Sequence, residues 1–556
     1  MHPRDAFPAA RPAPGAGPAR CAVPARGGTP VTEGAPVLGA AGRRTVAAPR
    51  AENAAEAFLG RAAALHAAAP AVRDGAGAWT YATLDAASRT FALRLAERGV
   101  RPGDRVLVRL GAVREFVAAL YGTWRLGAVF VPVGPDMRPF HLRAVLEDVR
   151  PALALVVPGE REGVDGMPWP ARCEVLALDE LDLSWPGPDD PPEDPAPPVP
   201  ADRPALLLPV SGPGPVPRAV VCPHAQVAFA ARAVAARLGY RRDDVVLSAL
   251  PLASGHGLQQ VPLCALAGAE LSLYEGGAGD GSGLLARARE HGATVLPLEP
   301  SLGAPLVRRA ARDRRRTRVR LLTGTGDPLG APLTASLRAA FPGARVALVS
   351  GGEECQALTV LEPDGDLAHP GSLGPALPGT RVLALDGGGR PLDPYEIGEI
   401  AARGPHVMAG YRHAPGATAR HFRPAPDGTV TLRTGQYGWL DEDGHLYVQG
   451  RRDGQFRRHG TRTGAAEIEA AALDVEGVRH AVLLVPGEGG GMALFTVGPA
   501  TEDEVRAGLA ARLEAAKVPG AGDCHVLDAL PRAPDGTADR ARLGALLRAL
   551  RARRCR

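Results

Sequence analysis

Gly398-Glu399-Ile400-Ala401-Ala402-Arg403-Gly404-Pro405-His406-Val407-Met408-Ala409-Gly410-Tyr411, followed by Pro415, Ala417-Thr418 and Phe422, is the stretch on which the reading of this chain turns. Toward the C-terminus it is followed by Leu432-Arg433-Thr434-Gly435-Gln436, by Asp441-Glu442-Asp443-Gly444-His445-Leu446, by Gly450-Arg451-Arg452-Asp453 with Gln455 and Gly460, and by Ala466-Glu467-Ile468-Glu469. Toward the N-terminus lie Trp79-Thr80-Tyr81, Arg101-Pro102-Gly103-Asp104 and Leu126-Gly127-Ala128 running to Pro132. Each segment is short, so the information lies in their common order and spacing over about residues 55 to 545.

The chain around them has 556 residues, more than one ordinary domain holds, so two or more domains and a substantial core are expected. Its formal charge of +4 is small for that size, and its arginines are interleaved with Asp and Glu, which argues against the uniform basic face that nucleic acid requires. The 7 cysteines are scattered without a C-x-x-C pair or metal-ligand spacing, as in a reduced, cytoplasmic protein. No run approaches the roughly 20 apolar residues that span a bilayer, and Pro and Arg stand at the N-terminus where a signal peptide has an apolar run. A soluble protein off the membrane is therefore expected. Lys517 is the only lysine.

Residues 1–50 are mostly Ala, Pro, Gly and Arg and bury too little to offset the entropy of ordering, so they are expected to form a disordered tail. From Trp79 the pattern changes. Leu84, Ala87, Phe91 and Leu95 recur at helical spacing, Gly99 stops the helix, and Val106 to Leu110 reads as a strand. A helix over Glu115 to Leu126 and a strand over Ala128 to Val133 follow, the alternation of a parallel α/β sheet. The Pro-rich acidic stretch Trp185 to Pro204 reads as an exposed connection. The α/β alternation resumes from the strand Ala205 to Leu208 and runs to about residue 350. Beyond about Gly450 a small α+β unit is expected, with strands at Ala481 to Val485 and Ala493 to Val497, a helix over Glu502 to Ala516, and a closing helix from Asp539.

The ordered segments resemble those of the adenylate-forming ligase superfamily, which includes acyl-CoA synthetases, the adenylation domains of peptide synthetases and luciferases. The opening stretch is similar almost letter for letter to the superfamily's GEI-x-x-RG-x-x-VM-x-GY, and adenylation domains share the ATA-x-x-F after it. The resemblance implies an α/β fold with a large N-terminal domain of packed α/β layers, 51–450, carrying a small β-barrel-like subdomain. It also implies a small mobile α+β C-terminal domain, 451–556, that rotates about a hinge at Asp453. The implied reaction has two steps: a carboxylic acid and ATP, with Mg2+, give an acyl-adenylate and pyrophosphate, and a thiol of CoA or of carrier-protein phosphopantetheine then takes the acyl group.

Carried over position by position, the resemblance marks the site. The phosphate loop needs backbone N–H groups and hydroxyls to wrap a triphosphate; here it reads Val210-Ser211-Gly212-Pro213-Gly214-Pro215-Val216-Pro217-Arg218-Ala219. Two prolines each remove a donor, leaving Ser211, Gly212 and Arg218 as phosphate contacts, or a Pro/Gly turn that binds none. The PLFH-x-x-GL segment is Pro251-Leu252-Ala253-Ser254-Gly255-His256-Gly257-Leu258, with Ser254 at the His position and His256 either lining the acyl pocket or bonded within its loop. YG-x-TE becomes Ser350-Gly351-Gly352-Glu353-Glu354: Glu354 keeps the magnesium position, or belongs to a solvated acidic turn, and Glu353 replaces a Thr. The ribose-binding Asp of TGD is Gln436, while Arg451 keeps the position that reaches ribose and phosphate. Thr537 stands where P-x-x-x-GK-x-DR carries the catalytic Lys. Lys517, in Ala516-Lys517-Val518-Pro519, belongs to another segment and is not an evident substitute.

Pro213 with Pro215, Ser254, Glu353, Gln436 and Thr537 are departures in five separate segments, all where ATP is handled. The expectation is a member of this family in which adenylation is weak or lost, working as an auxiliary protein. One alternative is an active acyl- or aryl-acid ligase, using CoA or a carrier protein, rebuilt around Arg218, Glu354 and Arg451. Others are a non-catalytic partner in a biosynthetic pathway and adenylate-independent acyl transfer in the same pocket. The expected partners are a carboxylic acid and a carrier protein or an intact ligase.

Overall fold

The computed structural model describes residues 53–159, 167–183, 199–210, 218–276, 281–313, 315–325, 331–425, 428–451, 455–458, 461–485, 492–513, 517–520, 523–531 and 538–554. The expected tail at 1–50, most of the Pro-rich connection, Ser211, Gly212, Asp453 and Thr537 lie outside them, as does the side chain of Arg451.

The first elements form as their periodicity dictates. Thr80 caps the helix Tyr81–Glu97, its hydroxyl accepting from the Thr83 N–H at 3.1 Å. Leu84, Ala87, Phe91 and Leu95 are buried along that helix, and Gly99, at φ +78°, follows its end. The next helix, Arg114–Arg125, is buried on nearly every side, and its Gly122 has a packing reason. A Cβ there would stand 2.6 Å from the Ser88 carbonyl, so only glycine lets the two helices approach this closely. Below them Phe116 and Phe130 meet edge to face at 5.3 Å, and the Trp124 indole donates to the Ala205 carbonyl at 2.8 Å.

Three sheets organise the large part of the chain. One has six strands in the order Glu174–Ala177, Leu153–Val156, Arg105–Arg109, Val129–Pro132, Pro204–Val210 and Arg218–Pro223, parallel except for the last pair. The second has eight, in the order Thr359–Leu361, Arg345–Ser350, Leu321–Thr325, Val295–Leu298, Val245–Ser248, Glu270–Leu273, Pro70–Asp74 and Gly77–Thr80. The inner strands Val129–Pro132, Leu153–Val156, Glu270–Leu273 and Val295–Leu298 are buried at every position, the mark of parallel strands covered on both faces. The third sheet is antiparallel. In it Gly398–Arg403 lies between Arg381–Leu385 and the long strand Val430–Leu440, which also pairs with Phe422–Pro424 and Leu446–Arg451.

The C-terminal part is the expected α+β unit. A hairpin, Gln455–Arg458 with Thr461–Gly464, leads into the helix Ala465–Leu473 and a sheet of His480–Leu484, Ala493–Val497 and Cys524–Leu527. The helix Glu502–Arg512 ends short of the expected Ala516, and Arg540–Arg554 closes the chain. Thr501 and Glu504 start the former helix with a reciprocal capping box. Ile468, Leu494, Val505 and Leu509 form this unit's own core, and Phe140 from the helix Pro139–Val149 packs against it.

Candidate active site

The strands Pro204–Val210 and Arg218–Pro223 pair antiparallel, with Val210 opposite Arg218, and so bring together the two ends of the proline-bearing loop. Arg218 is half-buried, and its Nη1 is buried without a hydrogen-bond partner among the described residues. A buried guanidinium nitrogen left unpaired is costly, and an anion would relieve it.

The strand leaving that loop is joined to the segment 398–411. The Val221 N–H donates to the Gly410 carbonyl at 2.8 Å, Ala409 N–H to Val221 at 3.0 Å, and Arg412 N–H to Ala219 at 2.8 Å. Tyr411 is thereby fixed, and its hydroxyl donates to Glu354 Oε1 at 2.7 Å. The Met408 N–H donates to the Glu354 carbonyl at 3.0 Å, so one short segment holds both the backbone and the carboxylate of Glu354. Glu354 is 8% exposed. Nearby, burial pushes the Cys222 thiol well above its ordinary range, and Glu353 and Glu354 push it further, so it is neutral and inert. Sequence reading gave Tyr411 no role, although the motif that contains it was the plainest in the chain.

Ser254 and Glu353 meet at the start of the helix Gly255–Ala267. Ser254 is its N-cap: the hydroxyl accepts from the Gly257 N–H at 3.1 Å and donates to the Pro251 carbonyl at 2.8 Å. His256 is half-buried in the first turn. Glu353 lies against the same turn, its Oε1 3.6 Å from where a Cβ on Gly255 would stand. Its carboxylate is thus at the positive end of the helix dipole, a place that favours negative charge.

Gln436 sits on the antiparallel sheet beside a kink. Gly435 is at φ +70°, and the Thr434 hydroxyl accepts from the Gln436 N–H at 3.1 Å while donating to the Ile400 carbonyl at 2.7 Å. The pairing register slips between Glu399 and Ala401, opposite this point, as a bulge requires. Across the hairpin Gln436 is paired in register with Arg451. These two positions are therefore brought together, the strand that Arg218 begins is joined to the segment that holds Glu354, and Glu353 is brought to the helix turn that carries Ser254 and His256. His406 is a packing residue: it is fully buried, tilted against Phe229 at 6.5 Å, and held neutral by burial, which lowers it to about 4.

The single lysine is committed elsewhere. Lys517 Nζ lies 2.8 Å from Glu467 Oε1, and His141 Nε2 approaches the same oxygen obliquely at 2.8 Å from the helix Pro139–Val149. Burial by itself would raise the Glu467 carboxyl, but His141 and the Lys517 charge outweigh it and hold it down at about 2. The five cysteines among the described residues form no disulfide. No helix among them is long and apolar enough to cross a membrane.

The chain is similar to several known proteins. A feruloyl-CoA synthase from Amycolatopsis sp is 30% identical over 81% of this chain and 91% of its own length. The crystal structure of VinN is 35% identical, with a TM-score of 0.66, over 73% of this chain and all of that one. The o-succinylbenzoate CoA synthetase MenE of Bacillus subtilis, bound to a product analogue, is 25% identical with a TM-score of 0.76 over 89% of this chain and 98% of that one. The chain also matches a nonribosomal peptide synthetase and a pyochelin synthetase, of whose lengths it spans only 6% and 23%. Residues 59–412, most of the chain, match the family described as AMP-binding enzyme, and to that family this chain belongs.

Proposed function

We propose that this AMP-binding family protein is a ligase in which carboxylate adenylation is weak or lost, and that it serves as an auxiliary protein to an intact ligase or a carrier protein. The observation that carries the reading is Glu353. Its carboxylate occupies the helix amino end where an incoming phosphate would gain most, and with Glu354 next in the chain a triphosphate meets two carboxylates. Pro213, Pro215, Gln436 and Thr537 support it from the sequence, each replacing a group that would bind ATP.

A second reading, an active ligase rebuilt around Arg218, Glu354 and Arg451, draws on the Arg218 nitrogen that has no partner among the described residues and on the firm hold on Glu354. Arg218 suits a phosphate oxygen, and the Glu353–Glu354 pair suits Mg2+, which takes few carboxylates and keeps its waters. CoA or a carrier phosphopantetheine would then be the acceptor. Calorimetry of purified protein with ATP and Mg2+ separates the two readings. It should be run with and without aryl acids, L-aspartate and 3-methylaspartate, the last two because VinN has been solved with both. Auxiliary function predicts a Kd on the order of 1 mM or weaker, and a low-micromolar Kd would transfer the case to the rebuilt ligase.

The division into 51–450 and 451–556, with a swing about Asp453, belongs to the same proposal. It is supported by the separate core around Ile468 and Leu494. Limited proteolysis is expected to cut near residues 450–460 and leave two compact pieces. A chain that stays whole there while the N-terminal tail is digested would count against the swing.

A further inference from the structure

We propose that His369, Asp441 and His445 form a binding site for one divalent transition-metal ion of the zinc class, separate from the residues that would handle ATP. One potential ligand atom from each residue lies within 4.8 Å of the other two. His369 is the C-cap of the short helix Gly365–Ala368, and Asp441 and His445 flank the turn between Val430–Leu440 and Leu446–Arg451. Tertiary hydrogen bonds bring the two segments together: the Leu373 N–H donates to the Leu446 carbonyl at 2.7 Å, and the Leu446 N–H donates to Gly374 at 3.0 Å.

The carboxylate is already oriented. Asp441 Oδ1 accepts from the N–H groups of Asp443 at 3.1 Å and His445 at 2.8 Å. Its Oδ2 lies 3.9 Å from His369 Nδ1 and accepts from the Tyr447 hydroxyl at 3.3 Å. His445 Nδ1 is buried without a hydrogen-bond partner among the described residues, and is 3.6 Å from Asp441 Oδ1. Such spacings are too long for hydrogen bonds. They are close to the separation of about 3.3 Å between donors that share a tetrahedral ion with bonds of about 2.0–2.1 Å. Two imidazoles and one carboxylate suit zinc and its neighbours better than magnesium or calcium, which prefer oxygen alone.

The imidazole rings stack at 3.6 Å with 19° between their planes, so their in-plane lone pairs run side by side. Binding therefore requires one ring to turn about its soft second torsion. His369, with its side chain 30% exposed against 15% for His445, has the room to do so. Water completes the coordination, and the ion pins the chain around Ser372 to the hairpin whose first strand carries Gln436.

The test uses the untagged full chain, freed of metal by chelator dialysis and titrated with Zn2+ by calorimetry and with Co2+ by visible absorption. The expected result is about one ion per chain, a tetrahedral Co2+ spectrum and a rise of several degrees in Tm with Zn2+. His369→Gln and His445→Gln are each expected to weaken binding at least about tenfold, while the metal-free Tm of the His369→Gln variant, at the more accessible of the two rings, stays unchanged. Absence of binding, or binding that both variants retain in full, would overturn the proposal.

Discussion

Given ATP, Mg2+ and a panel of carboxylic acids, the natural protein is expected to exchange pyrophosphate at close to the acid-free background. The family's lysine at position 537 stabilises charge on the α-phosphate as adenylation proceeds, and Thr537 is uncharged and too short to replace it. Loss of one such transition-state contact costs about 10²–10³ in rate. Lys517 cannot take its place while it is held against Glu467 in a buried pair. The single change Thr537→Lys should therefore rescue little, because Gln436 offers the ribose one neutral acceptor and Pro213 and Pro215 lack two loop donors. Combining Thr537→Lys with Gln436→Asp and a Gly/Thr phosphate loop should rescue more than the sum of the separate changes, since residues that act as a unit are non-additive. Robust acid-dependent exchange by the unmodified protein would defeat the impaired reading.

Lys517→Met is expected to destabilise the protein by about 3–5 kcal/mol, because it strips a buried carboxylate of its principal charge partner. Glu467 is 1% exposed and Lys517 4%, so water cannot take over. The double change Lys517→Met with Glu467→Leu should recover much of the loss, since a buried pair replaced by apolar residues is often neutral. The pH dependence has a definite sign. The Glu467 carboxyl is held at about 2 when folded, below its ordinary 4.5, so its contribution is complete above about pH 4.5 and fades as the pH falls toward 2. Thermal melts from pH 7 to pH 3 should show this acid loss in the natural protein and less of it in Lys517→Met. Because His141 belongs to the large part of the chain and Glu467 to the small one, early exposure of the C-terminal unit to protease should accompany the destabilisation. A shift equivalent to less than about 1 kcal/mol would mean that the pair breaks even against its desolvation.

Local pattern made much of this molecule legible. Helical spacing at Leu84, Ala87, Phe91 and Leu95, the glycine stop at Gly99 and the continuous apolar strands foretold elements whose side-chain periods are set by the backbone itself. The ordered motifs identified the family and placed Gln436 and Arg451 on neighbouring segments, where a hairpin pairs them. Which groups touch across long stretches of chain was another matter. Nothing local indicates that the Tyr411 hydroxyl reaches Glu354, that Glu353 lies at the amino end of a helix begun at Gly255, or that His141 shares Glu467 with the only lysine. Those contacts depend on how three sheets and a docked C-terminal unit pack, which is decided by the whole core and not by the residues that meet. The sequence by itself determined the family, the order of elements and the five positions at which it departs from the family's motifs; tertiary structure alone decided which charges face one another, because side-chain direction follows from packing over distances that periodicity does not encode.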